Sequence, residues 1–242
     1  MSFGQSAALY NDVRQPYASE VIEEVAGILG APSGQRLIDL GCGTGIATRQ
    51  LSARGFNVLG ADVDADMIEE ASSRGEAAGY FVMSVDQLDF PDGGFNGATA
   101  FGAFHWFCDD VSVREIKRVL QPGGRFIVVN KYDNGTFRQV IVEIVSRHVT
   151  LTLAQPRAGY HPADILKRGG FRDVEERALP SIERLPAEAA ISYVRSMRLW
   201  QEVPLSLHDS IEEELRGYVW SRIDESGYFP RPIATSFVFG RK

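Results

Sequence analysis

The sequence predicts an α/β fold of the doubly wound kind, a parallel sheet with helices on both faces. Short apolar runs alternate with helical stretches from residue 36 to 132. The first of these runs ends in the glycine turn Gly41-Cys42-Gly43-Thr44-Gly45. Acidic, polar and aromatic residues gather where later runs end, at Asp62, Ser84 to Asp86 and Phe101 to Trp106. Alternation at this spacing requires right-handed crossovers, and therefore parallel strands.

Arg36 to Leu40 reads as a buried strand entering the glycine turn. Ile46 to Leu51 is a helix that stops at Gly55, a residue suited to left-handed geometry. Asn57 to Val63 is the second strand, and Ala65 to Ala78 a helix with Asp64 as its N-cap. Tyr80 to Val85 is the third strand; the turn Pro91-Asp92-Gly93-Gly94 leads into the fourth, Phe95 to Phe101. Val111 to Leu120 is helical, Pro122-Gly123-Gly124 breaks it, and Arg125 to Lys131 is the fifth strand. Beyond this the pattern loosens. Helices are expected at Phe137 to Leu153, Pro162 to Arg168, Ala187 to Trp200 and Leu207 to Ile223, with strands at Phe171 to Leu179 and Ile233 to Gly240. Without a repeat or linker to divide it, the chain reads as one domain with inserted helices.

Composition narrows the function classes. The 242 residues are 44% apolar and 24% charged, an ordinary globular balance. No run approaches the roughly 18 apolar residues that span a bilayer, and the N-terminus shows no signal-peptide pattern. Cys42 and Cys108, the two cysteines, read as reduced thiols, so a cytoplasmic protein is expected. A net charge of −7 disfavours nucleic acid as a partner, and the cluster Arg114 to Arg118 reads as a solvated helix face. No Cys/His spacing suggests a metal; His148, His161 and His208 read as structural or exposed.

Ligands of such sheets bind beyond the carboxyl ends of the strands, at the switch point of strand order. A Gly-x-Gly-x-Gly turn between strand and helix offers backbone N–H groups and bare Cα surface to a ligand. Dinucleotide sites share this logic, but their fingerprint needs glycine or alanine where this chain has Ile46. Asp39, two residues before Gly41, is unwelcome beside a pyrophosphate and suitable near a cation. Asp62 ends the second strand, 19 residues after Gly43, a spacing suited to a carboxylate that accepts from ribose hydroxyls.

Leu37 to Gly45 resembles the first motif of class I S-adenosylmethionine (SAM)-dependent methyltransferases, and Gly60 to Ile68 resembles their second-strand motif. Leu88 to Asn96 and Val119 to Arg125 are similar to later landmarks, in the right order. The resemblance implies a Rossmann-like, seven-stranded sheet whose last strand, Ile233 to Gly240, is antiparallel. The SAM-binding core would then span about residues 30–132, 171–180 and 231–242, with cap elements at 1–29, 133–170 and 181–230. It implies SAM as cofactor and S-adenosylhomocysteine (SAH) as product. Asp39, Gly41, Cys42, Gly43 and Gly45 would hold the methionine end, Asp62 and Val63 would frame the ribose, and Ser84, Val85 and Asp86 would flank the adenine. Ser84 stands where many relatives have aspartate, and so does Asn96.

Phe104-His105-Trp106-Phe107 resembles a segment of the trans-aconitate methyltransferase-like branch, which modifies O or N atoms of small molecules. Tyr10 to Tyr17 is similar to a segment that folds over the cofactor there, with Gln15 intervening before the proline. This implies Arg14 on the SAM carboxylate and Tyr10 closing the pocket, with Phe101 expected beside the cofactor and Tyr17, His105 and Trp106 around the acceptor. Aromatic residues of the inserted regions, Tyr132 and Trp200 with Tyr218 and Trp220, read either as a substrate lid or, at helical spacing, as core. His105 is the candidate base, needed only if the acceptor arrives protonated. The expected partner is a small-molecule acceptor, without nucleic acid or membrane, for a monomer or dimer. Alternatives are a nucleoside- or RNA-directed methyltransferase and a non-catalytic SAM-binding protein.

Overall fold

The computed structural model describes residues 16–32, 34–75, 77, 79–151 and 160–242. Strands β1 (Arg36–Leu40), β2 (Asn57–Asp62), β3 (Gly79–Val82), β4 (Phe95–Phe101) and β5 (Leu120–Asp133) are parallel. With β6 (Arg172–Pro186) and β7 (Tyr228–Arg241) they form one seven-stranded sheet ordered β3-β2-β1-β4-β5-β7-β6. Strand β7 runs antiparallel to both neighbours, as expected for the last strand. Order reverses between β1 and β4, which fixes the switch point there. Leu37, Ile38 and Leu40 of β1 are fully buried, as a central strand covered on both faces requires.

The helices follow the chemistry of their ends. Helix α2 (Ile46–Ser52) starts at Gly45, whose φ of 76° is left-handed. Asp64 caps α3 (Ala65–Ser73), accepting from the N–H groups of Asp66 and Met67. Asp109 caps α4 (Asp110–Val119) in the same way, and the Ser112 N–H holds its carboxyl below the usual range. Arg118 corrects the expectation of a solvated face. It donates to the carbonyls of Leu88 and Phe90 and pairs with Glu115 and Asp92, so it clamps the turn before β4.

Helix α1 (Ser19–Leu29) packs against the sheet, whereas the resemblance implies a cap element over residues 1–29. Val21, Ile22, Val25 and Ile28 recur at helical spacing and pack on Leu37, Val58 and Ile127. Each such side chain contributes about 1.5–3 kcal/mol of burial. Gly97 of β4 admits the end of this helix: a Cβ there would lie 2.6 Å from Leu29 Cδ2.

Several boundaries differ from the expected ones. Strand β3 stops at Val82, and Ser84 to Gln87 form a turn. Pairing of β5 begins at Leu120, opposite Phe95, with a register shift that absorbs Pro122 to Gly124. Strands β6 and β7 pair with each other from Arg172–Arg241 to Pro186–Tyr228, which makes both longer than their apolar patterns suggest. Helix α5 (Phe137–Ser146) ends short of Leu153, and α6 (Pro162–Arg168) has the expected span. Helix α7 (Ala187–Arg195) ends where the Ser196 hydroxyl turns back to the Tyr193 carbonyl, and a 3-10 turn (Arg198–Glu202) follows. Helix α8 (His208–Trp220) completes the cap. Helices α5, α7 and α8 form a second core around Ile141, Ile191, Val194 and Leu215, seated on Leu185 and Phe229 of the long ribbon.

Replacing Gly97 by Val should destabilise the protein by about 1–3 kcal/mol, through overpacking against Leu29. Urea unfolding of Gly97→Val, Leu29→Ala and the double variant checks this; strict additivity of the two changes would show that no such contact exists.

Candidate active site

The glycine loop is built from beneath. Asp39 is fully buried, and its two oxygens accept from the hydroxyls of Thr48 (2.7 Å) and Thr99 (2.8 Å). One carboxylate thereby ties β1 to α2 and to β4, the strands on either side of the switch point. Burial pushes its pKa up to about 6, against which the two hydroxyls act only partly. The side chain lies under the loop, so what it offers the cleft is charge rather than a surface contact.

The loop is braced from both sides. A Cβ on Gly41 would lie 2.5 Å from the Ala103 Cβ and 3.1 Å from Phe107 Cε1. A Cβ on Gly45 would lie 2.8 Å from Tyr80 Cε1, and one on Gly60 2.6 Å from Tyr80 Cδ1. Cys42 Sγ fills the space beside Gly60, and burial pushes this thiol well up, so it is no nucleophile. Gly43 alone of the three turn glycines is open: its φ is 53°, and a Cβ added there would meet no atom within 4 Å. Its N–H donates to Asp62 Oδ2 at 2.8 Å, while Asp62 Oδ1 accepts from the Asp64 N–H at 3.0 Å. Asp62 is thus locked beside the open face of the loop.

Around this cleft the expected residues divide. Val63 is 73% exposed and presents an apolar surface next to Asp62. Ser84 and Asp86 are exposed and hydrogen-bonded to each other. Val85 points the other way into the core, a correction to its expected contact; only its backbone faces the turn. Tyr17 bonds through its backbone to Gln50, and its ring lies 4.9 Å from that of Phe101. Its hydroxyl comes within 3.9 Å of a Cβ position on Gly102, at the end of β4. Asn96 accepts from the Arg36 N–H at 2.8 Å and so fastens the start of β1.

His105 and Trp106 sit on a 3-10 turn (Phe104–Trp106) anchored by the buried Phe104. The His105 ring is 4.8 Å from Trp106 and 6.1 Å from Tyr160. Trp106 and Tyr132 are half exposed. Trp200 is a correction to its expected place around the acceptor: it is 7% exposed and packs inside the cap core, its ring tilted against His208 at 4.7 Å. Tyr10 and Arg14 lie outside the described residues. Tyr80, Thr48, Thr99 and Tyr160 carry no signal in the sequence; only their packing shows their part. No group of His, Cys, Asp and Glu among the described residues has the arrangement of a metal site, and no helix there is long and apolar enough to cross a membrane.

Residues 38–128 match the family model described as a methyltransferase domain, so this stretch carries a methyltransferase-type sequence. The methyltransferase phqN of Penicillium fellutanum is 34% identical over 136 residues, which cover 50% of this chain and 42% of that protein. The chain spans about half the length of the curated relatives it matches. Among solved structures, phosphoethanolamine N-methyltransferase 2 of Haemonchus contortus in complex with S-adenosyl-L-methionine superposes with a TM-score of 0.59 at 19% identity, covering 99% of this chain and 57% of that one. The [4+2]-cyclase SpnF superposes with a TM-score of 0.56 at 18% identity, covering 99% and 93%. These likenesses establish the Rossmann-like fold.

The buried Asp39 makes a pH prediction. The folded protein keeps this proton up to pH about 6, whereas the unfolded chain releases it near the ordinary aspartate value of 3.8. Between those values the folded state binds more protons, so this group's contribution falls as pH rises through the window, by about 3 kcal/mol in all. Asp39→Asn removes that contribution. Urea unfolding at pH 4.5 and 7 should show the variant gaining on the wild type at the higher pH; parallel profiles would refute the burial argument.

Proposed function

We propose that the chain is a SAM-dependent methyltransferase that methylates an oxygen or nitrogen atom of a small metabolite. The observation that carries this is the open face of Gly43, bonded to Asp62 at the end of β2, in a loop that lies above a buried carboxylate. The site fits the cofactor on its own chemistry. Gly43 leaves the face of the loop bare for close approach of a ligand to the backbone, and Asp62 keeps lone pairs for the ribose hydroxyls. Val63 offers apolar surface, Ser84 and Asp86 polar groups for the adenine end. Asp39 sets a negative potential beneath the loop, which favours a cationic ligand and disfavours a pyrophosphate. The domain match at residues 38–128 supports the same reading.

When bound, SAM supplies a methyl group on a sulfonium centre, already activated by its positive charge, and leaves as SAH. The work left to the protein is to hold the acceptor in line and exclude water. Trp106, Tyr132 and Tyr17 are the surfaces proposed for this. His105 is the proposed base for an acceptor that arrives protonated, its ring held between Trp106 and Tyr160. An architecture shared with a cyclase does not by itself fix the reaction, so the test must read methyl transfer. Labelled-methyl transfer from SAM into metabolite extract, with mass spectrometry of the product, is that test. Normal SAM affinity with no labelled product would favour a non-catalytic binding protein.

Asp62→Ala should weaken SAM binding by at least tenfold in calorimetry, through loss of the ribose acceptor and release of the Gly43 N–H. Unchanged affinity would sink the ribose assignment. His105→Ala should lower turnover about 10²–10⁴-fold with SAM affinity retained; full turnover with the native acceptor would remove it as the base.

A further inference from the structure

At the cap end of the sheet, three strands bring charged and polar groups to one face. Lys131 lies opposite Thr235, Asp133 opposite Ile233, and Glu183 opposite Arg231. Directly paired residues of antiparallel strands share a face, as do residues two apart. Arg231 is 4% exposed, with its guanidinium carbon 4.0 Å from the centre of the Tyr193 ring. Its Nη2 lies 2.9 Å from Glu183 Oε2, and Lys131 Nζ lies 2.9 Å from Glu183 Oε1. One carboxylate therefore serves two cations.

Arg231 Nε and Nη1, Thr235 Oγ1 and Asp133 Oδ2 are all buried without a hydrogen-bond partner. These are four of the six such side-chain atoms among the described residues. Leaving charged donors unmet in a low dielectric is costly, and native proteins rarely do so where nothing else supplies the partner. Lys131 links this corner to the active site, since its Nζ stands 4.5 Å from the centre of the Tyr17 ring, which itself packs on Phe101.

Resting on the methyltransferase reading, we propose that this corner recognises an oxyanion of the acceptor, a carboxylate or a phosphate. Arg231 binds it through its unmet N–H groups, with Lys131 and the Thr235 hydroxyl beside it. Asp133 Oδ1 already accepts from the Gly135 N–H, and Oδ2 is left to accept from a hydroxyl or ammonium next to the oxyanion. The acceptor class is a small hydroxy acid, amino acid or phosphate ester whose bound oxyanion stays unmethylated.

The test uses the full chain saturated with SAH and titrated with citrate, inorganic phosphate or neutral glycerol at constant ionic strength, read by thermal shift. Citrate or phosphate should raise the melting temperature of the wild-type complex, and glycerol should not. A response to citrate alone identifies a carboxylate site, and one to phosphate alone a phosphate site. Arg231→Gln should bind SAH as the wild type does and lose at least tenfold in apparent oxyanion affinity. If that variant does not fold, because Glu183 has lost a partner, the double variant Arg231→Gln/Glu183→Gln replaces it. A wild-type complex blind to both oxyanions, or a variant that responds equally, overturns the proposal. Failure of the wild type to bind SAH would instead overturn the methyltransferase reading, while the oxyanion titration of the free protein would still decide this corner.

Discussion

The buried carboxylate of Asp39 is the constraint on which the cofactor end depends. By accepting from Thr48 and Thr99 it joins the central strand to the helix after the glycine loop and to the strand across the switch point. A charge withdrawn from water must be held by fixed dipoles, and the two hydroxyls are those dipoles. The loop above inherits its position from this arrangement. Tyr80 and the Ala103–Phe107 turn then close its flanks, so that it offers a ligand only the Gly43 face.

The second core answers a different need. Strands β6 and β7 outrun the rest of the sheet, and their far ends would be bare without the cap helices. Where the cap meets the sheet, apolar packing gives way to Lys131, Glu183 and Arg231, a network with more donors than acceptors. Charge is therefore distributed unequally, with a carboxylate beneath the glycine loop and a predominantly donor-bearing network where the cap meets the sheet.

How much of this was legible in the sequence depends on whether a residue's role is local. The alternation of strands and helices, the Asp64 cap and the span of α6 follow from neighbours in the chain, and all are as expected. The apolar face of α1 has a partner only in strands far along the sequence, and the lengths of β6 and β7 are set by each other. For the same reason Asp62 could be read from its spacing to the glycine loop, whereas Tyr80 and Thr99 could not. Aromatic residues gave the weakest guidance, since the half-exposed Tyr132 of β5 and the buried Trp200 look alike until the chain packs.

The order of the chain separates the two ends of the cleft. The glycine loop, Asp62 and the Ser84 turn all precede β5, while the cap helices all follow it, in the connections from β5 to β6 and from β6 to β7. The cap helices also share a hydrophobic core apart from the two clusters that pack on the sheet, to which residues from both before and after β5 contribute. Ile141, Ile191, Val194 and Leu215 therefore pack among themselves and on the long ribbon, in a cluster that holds none of the glycine-loop residues.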